Sequence, residues 1–292
     1  MVDNITFFLD CGAFTAHSKG TPIVLDDYIA FIKKHEALID MYPVLDVIGD
    51  VEATWKNQQI MEDADLIPMP VFHVEDDMAY LHDCLGYDYF CLGGMAGGVS
   101  QTSRITFLNK CFEIICDTPD NKPKTKVHGF GLASPSLMTA YPFYSIDTSS
   151  WVAYSMYGNI LIPPCNPHTG ALEYHKTPKT VFVSTRSKQN LDDGAHINTM
   201  PPKERDVVLA YIKSLGYELG SSEFFDVAPD YVLQENEQFI NYKKTAIERT
   251  YVQGVSNNNK LRTGCLLNYY QRIAEACPEY PWAWTPKVKS LF

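Results

Sequence analysis

The sequence predicts an α/β fold whose strands run parallel and whose functional residues gather at one end of the sheet. Three observations carry this expectation. Short apolar runs alternate with amphipathic stretches through the first half of the chain, and that rhythm implies parallel strands joined by helical crossovers. The apolar runs stop on residues with chemistry: Asp10, Asp46, His73, Gly93-Gly94, His128-Gly129 and Asp147 close six of them in turn. The chain has 292 residues, 46% of them hydrophobic, which suffices for a large core. A (β/α)8 barrel and a doubly wound sheet both place their sites at strand C-termini, so the pattern alone fits either.

The elements follow in order. Residues 6–9 form a first strand ending in Asp10, and Asp26 and Asp27 suit the start of a helix. Residues 43–45 lead to Asp46, and residues 70–72 lead to His73. Met78, Leu81 and Leu85 share one helical face, and the strand at 89–92 then ends in two glycines. Ile105, Leu108, Phe112 and Ile115 mark a longer helix; Lys126 and Val127 run into His128-Gly129. Ser134-Pro135 supplies an N-cap followed by proline at the first helical position, and residues 143–146 lead to Asp147. Residues 159–162 and 180–184 are the expected seventh and eighth strands. Helical periodicity follows at Val207, Val208, Tyr211, Ile212 and Leu215, and again at Phe239, Tyr242, Ile247 and Tyr251. Residues 253–264, rich in Asn, Gly and Ser, read as a loop; the aromatic stretch 278–286 either docks or stays free. The expected organisation is a catalytic α/β unit over 1–190 and a mostly helical C-terminal region over 191–292, packed on it and basic toward its end.

Charge narrows the partners. The formal net charge is -11, which disfavours indiscriminate binding to phosphate backbones. Residues 1–100 carry 4 Lys+Arg against 17 Asp+Glu, whereas residues 243–292 carry 8 against 3. Contact with nucleic acid therefore belongs to the C-terminal part, where Lys176, Lys179, Arg186, Lys188, Lys243, Lys244 and Arg249 are the candidate phosphate ligands. The eight cysteines form no C-x-x-C pair and several sit in apolar patterns. With no leader or membrane-length apolar run, a reducing cytoplasm is the expected location. Cys165, His168 and His175 are a candidate metal-binding trio but lack an evident fourth ligand, so no metal is expected.

The ordered set Leu9-Asp10-Cys11-Gly12-Ala13-Phe14, Val44-Leu45-Asp46-Val47, Val71-Phe72-His73, Leu92-Gly93-Gly94-Met95, His128-Gly129-Phe130-Gly131 and Ile146-Asp147-Thr148-Ser149-Ser150-Trp151 resembles the tRNA-guanine transglycosylase superfamily. It is more similar to the phage-type DNA guanine transglycosylases than to the tRNA enzymes. The resemblance covers roughly the first half of the chain. It implies a (β/α)8 (TIM) barrel, incomplete or atypically closed here, with a helical C-terminal extension. It also implies exchange of guanine in DNA for a 7-deazaguanine derivative, with no cofactor. The departures are definite. The tRNA enzymes follow their second aspartate with Pro-Thr-Arg, where Thr148-Ser149-Ser150 stands here, and their Cys-rich zinc insert has no counterpart. Strand material that precedes their first motif is also missing.

The implied chemistry needs two carboxylates with different duties. By resemblance, Asp147 attacks C1′ of the sugar and forms a covalent intermediate, as in retaining glycosidases. Asp10 handles protons on the departing and arriving bases. Asp46, assisted by Asp50, accepts from the N1–H and amino group of guanine, a pairing that discriminates by about 1–3 kcal/mol. His73 addresses the carbonyl edge, while Gly93, Gly94, Met95 and Gly129 line the base. The same residues have plainer roles open to them: a helix cap for Asp10, an Asx-turn for Asp147, a core position for His73 and ordinary turns for the glycines. The alternatives are a tRNA-directed relative, a nucleic-acid-binding protein on a degenerate barrel, and an unrelated carboxylate hydrolase. A DNA enzyme of this kind must flip the nucleotide or use single strands, with Tyr251, Tyr269 and Tyr270 as candidate stacking residues.

Overall fold

The computed structural model describes residues 6–95, 99–187 and 194–286. The chain divides into two compact units, one drawn from Met1–Ala133, Ala140–Thr148 and Pro278–Phe292, the other from Ser134–Thr139 and Ser149–Cys277. This division is not at residue 190: the chain leaves the first unit at Ser134–Thr139 and again after Thr148, and returns to it at Pro278.

The first unit contains helices α1 (Ala13–Lys19), α2 (Leu25–His35), α3 (Val51–Asp63), α4 (Met78–Cys84) and α5 (Gln101–Ile115), and strands β1 (Val71–Phe72), β2 (Tyr89–Leu92), β3 (Lys126–Gly129) and β4 (Ser145–Ile146). The four strands form one parallel sheet in sequence order, with Phe72 opposite Leu92, Leu92 opposite Gly129, and Gly129 opposite Ile146. Two parallel bridges, Phe8 to Met41 and Pro43 to Met69, continue the same neighbour-to-neighbour order toward the N-terminus. Four of the six expected strand segments are therefore strands of one parallel sheet, each beside its sequence neighbour, and the first two are marked by single parallel bridges.

Local chemistry fixes the crossovers. Asp50, Asp77 and Ser100 cap α3, α4 and α5 by accepting the amides of Ala53, Ala79 and Ser103. Leu108, Phe112 and Ile115 on α5 are fully buried, as their spacing requires. Val44, Leu45, Val71 and Cys91 pack with Tyr28, Ile32 and Met61 into one cluster. Around Phe112, Phe143 sits edge-on at 5.0 Å and Tyr141 at 5.2 Å. The terminal aromatic stretch docks here: the Trp284 amide donates to the Asn121 carbonyl at 2.8 Å, and its ring lies over Tyr141 at 6.3 Å.

The second unit contains α6 (Pro135–Met138), α7 (Ser150–Met156), β5 (Asn159–Ile162), β6 (Lys179–Phe182), α8 (Pro202–Ser214), β7 (Ser221–Asp226), β8 (Glu237–Phe239), β9 (Ala246–Val252) and α9 (Asn259–Ala276). Three expectations are corrected here. The presumed seventh and eighth strands, β5 and β6, pair antiparallel with each other, so they are not successive parallel barrel strands. The connection between them opens with Pro163, Pro164 and Pro167, which disfavour helix at its start, and it folds back through an antiparallel bridge from Cys165 to Leu172. The helix expected across Phe239–Tyr251 is a turn followed by β9, in a three-stranded antiparallel sheet ordered β7-β9-β8. Lys244 there has φ 55°, and the Asn241 side chain accepts the Thr245 amide, which stops a helix. The supposed loop at 253–264 gives way at Asn258 to the 18-residue α9, whose N-terminus Asn258 caps. The C-terminal region is thus not mostly helical.

Candidate active site

The sheet register puts the residues that follow the strands on one level. His73 follows Phe72, Gly93 follows Leu92, and Asp147 follows Ile146, with Phe72, Leu92, Gly129 and Ile146 paired in succession across the sheet. Successive parallel strands thus deliver a histidine, a glycine and a carboxylate to the same edge.

Asp46 is the best-anchored carboxylate of the group. The Cys11 thiol donates to its Oδ1 at 2.9 Å, and His73 Nε2 lies 3.2 Å from its Oδ2. Its side chain is only 10% exposed. The turn carrying it is held by Thr54, whose hydroxyl accepts the Val47 amide, and by Asn57, which donates to the Leu45 carbonyl. A carboxylate offers about four lone-pair sites, so Asp46 retains capacity for two further donors. Burial, with Asp46 beside it, pushes the Cys11 thiol well up, which keeps Cys11 a hydrogen-bond donor. His73 is fixed from behind by Asp76, which accepts the His73 amide at 2.7 Å. Gly93 makes that seating possible: a Cβ there would stand 2.6 Å from His73 Cδ2 and 2.7 Å from Nε2.

Asp147 is held differently. Gly131 N–H donates to Asp147 Oδ1 at 2.6 Å, and the Asp147 amide donates to the Gly129 carbonyl at 3.2 Å. The side chain remains 53% exposed, open to a substrate. Partial burial raises its pKa, the Gly131 amide opposes the rise, and the charge of Asp10 adds to it. Asp10 is exposed and, among the described residues, accepts only a long contact from the Gly12 amide, at 3.4 Å. Gly12, at φ 76°, turns the chain into α1.

His128 stands behind Asp147, with Nε2 at 3.8 Å from Oδ1. Its Nδ1 is 2.5 Å from Ser145 Oγ, which is itself 2.5 Å from the Tyr89 hydroxyl, and Phe8 stacks on its ring at 4.5 Å. Burial lowers its pKa to about 4, so it is neutral at neutral pH. Its Nε2 has no hydrogen-bond partner among the described residues.

The other expected residues divide. Asp50 is the α3 cap, with Oδ1 accepting the Ala53 amide at 2.9 Å. Met95 is fully buried, and its carbonyl accepts from Arg104 Nε at 2.8 Å. Gly94 has φ 74° and serves a turn; a Cβ on Gly129 would press on the Phe143 ring at 3.0 Å. Sequence reasoning missed the parts played by Cys11, Asp76 and the Tyr89–Ser145–His128 chain. Their only signal was position at or just beyond strand ends.

Most of the candidate phosphate ligands already have carboxylate partners. Lys176 pairs with Glu173 at 2.7 Å, and Lys179 with Glu204. Arg186 pairs with Glu248 at 2.6 Å, and Arg249 with Glu237 at 2.8 Å while lying over the Phe225 ring. Lys243 and Lys244 are exposed; Lys188 lies outside the described residues. Of the supposed stacking residues, Tyr269 is core, whereas Tyr251 is exposed with its hydroxyl donating to Glu223. Among the described residues no group of three or more His, Cys, Asp or Glu converges as metal ligands, so Cys165, His168 and His175 do not form such a set. No described helix is long and apolar enough to cross a membrane. Compared with family models and with curated proteins, the sequence matches none.

Proposed function

We propose that this chain is a base-exchange enzyme of the guanine transglycosylase type acting on DNA, replacing guanine by a 7-deazaguanine derivative. The observation that carries the reading is that the unit built on a parallel sheet holds both an open carboxylate, Asp147, and a buried, donor-loaded carboxylate, Asp46, each following a parallel strand or bridge segment. Four parallel strands in sequence order, with two isolated parallel bridges continuing that order, also support a singly wound, barrel-type arrangement. A doubly wound sheet reverses its strand order at a switch point.

In the proposed reaction an Asp147 oxygen attacks C1′ of the deoxyribose as the bond from C1′ to guanine N9 breaks. The electrons of that bond leave with the base, and Asp10, entering as the acid, gives the base its proton. The incoming 7-deazaguanine loses its N9 proton to Asp10 and attacks C1′ from the face the first base left, releasing the Asp147 carboxylate. Two inversions give retention, and no strand is cut. Asp46 recognises the N1–H and amino group, and His73 orients Asp46. The strand's guanine must leave the stack to reach these groups.

Incubation of the chain with DNA and labelled guanine tests this. Label should enter intact strands, and Asp147→Asn should stop it. Label entering RNA but not DNA would move the substrate to tRNA; binding without incorporation would refute base exchange.

A further inference from the structure

We infer that the second unit carries a phosphate-binding pocket, separate from the carboxylate cluster, built around Arg262 and Ser256 beside the start of α9. The inference does not rest on the base-exchange reading. The pocket has a volume of about 360 Å³, and its walls include Arg186, Arg262, Gln253, Ser256 and Thr250. Among the described residues two guanidiniums and no carboxylate line it, in a chain whose net charge is -11.

The charge balance inside is uneven. Arg186 is spent on Glu248, which also accepts from Thr185 and Gln238. Arg262 is not matched in this way. It is 7% exposed, and its bonds go to uncharged acceptors: Nε to the Ser155 carbonyl at 2.9 Å and Nη1 to the Val255 carbonyl at 2.6 Å. Burial, with Arg186 adding to it and the Glu248 carboxylate opposing it, lowers its pKa to about 10, so it remains a cation at neutral pH. Among the described residues Arg262 makes no ion pair, and its nearest opposite charge, Glu248, is held by Arg186; a buried cation placed so is costly, and a bound anion offsets the cost.

A second, independent feature points the same way. Ser256 is 3% exposed, lines the pocket, and its Oγ has no hydrogen-bond partner among the described residues. Buried hydroxyls are ordinarily satisfied. A phosphate oxygen would accept from this hydroxyl while its charge faces Arg262, and the positive end of α9 adds to the field. The chemistry is that of a phosphate mono- or diester, drawn either from a small ester or from a nucleic-acid backbone.

Calorimetric titration of the full chain with inorganic phosphate, deoxyguanosine monophosphate and a single-stranded oligonucleotide, at matched ionic strength, tests the site. Gln253→Glu places a carboxylate on the wall at an exposed position, and should weaken binding on the order of tenfold. Ser256→Ala should weaken it several-fold. Arg262→Gln should abolish it, and thermal unfolding of that variant reports whether the fold survives the loss of its two backbone bonds. Binding of phosphate or mononucleotide that Gln253→Glu weakens assigns the pocket to a small ester. Oligonucleotide binding alone, weakened by the same variant, assigns it to a phosphodiester backbone. No binding by any probe, or equal binding by wild type, Gln253→Glu and Ser256→Ala, would overturn the inference.

Discussion

Gly93→Ala should damage the site through His73 while leaving the sheet intact. The new Cβ would stand 2.6 Å from His73 Cδ2, whereas comfortable carbon contacts begin near 3.5 Å. The ring must retreat by roughly 0.9 Å to restore that spacing. His73 Nε2 now sits 3.2 Å from Asp46 Oδ2, and a retreat of that size takes the pair out of hydrogen-bond range. Overpacking of this kind costs about 1–3 kcal/mol of stability. A misplacement near 1 Å costs on the order of 100-fold in rate. The assay is a double-mutant cycle with His73→Ala, measured by denaturant unfolding and by guanine exchange. Removing the ring makes room for the methyl, so Gly93→Ala should be nearly harmless to stability in the His73→Ala background, with a coupling of about 1–2 kcal/mol. Equal destabilisation with and without His73, or near wild-type exchange in Gly93→Ala, would show that Gly93 does not seat His73 against Asp46.

Other outcomes follow from the same geometry. Asp147 has a raised pKa in the fold, so its ionised form opposes folding. The fold gains from this group at low pH and loses that gain as pH rises through the folded pKa. Asp147→Asn should therefore raise the melting temperature at pH 7 while abolishing exchange, and the gain should vanish in acid; a melting temperature lower than wild type at pH 7 would contradict this. Asp10→Asn removes a charge that pushes Asp147 up, so the Asp147 carboxyl should titrate at lower pH in that variant, read by carbon NMR; an unmoved midpoint separates the two groups. Lys243→Gln with Lys244→Gln should flatten the salt dependence of duplex binding by about 0.9 per lost phosphate contact, without changing which base is exchanged. Arg249→Gln should instead lower the melting temperature, because it leaves Glu237, whose side chain is shielded from solvent, without its guanidinium.

The first half of the chain was legible because its pattern is local. Each strand segment is a short apolar run that stops on a polar residue, and Leu108, Phe112 and Ile115 declare their buried face by spacing alone. The second half was not. Ile247 and Tyr251 lie four apart and mimic a helical face, yet Lys244 at positive φ and the Asn241 side chain commit the segment to a turn and strand. The prolines between β5 and β6 were visible, but their meaning depends on which strand lies alongside. Within the site, Asp10, Asp46, His73 and Asp147 could be named from strand ends. The thiol of Cys11 on Asp46 and the seating of His73 against Gly93 are contacts between distant segments, and no sequence period encodes them. The pairing of Arg186 and Arg249 with Glu248 and Glu237 escaped for the same reason: a run of basic residues shows its charge but not its partners.

The direct test is to trap the covalent intermediate. The chain is mixed with a guanine-containing single-stranded oligonucleotide, denatured rapidly, digested and mapped by mass spectrometry. Base exchange through Asp147 leaves a deoxyribose-linked adduct on the peptide containing Asp147, present in wild type, absent in Asp147→Asn, and lost when excess guanine is added before the quench. An adduct mapped to another residue, or steady guanine exchange by Asp147→Asn, would contradict it.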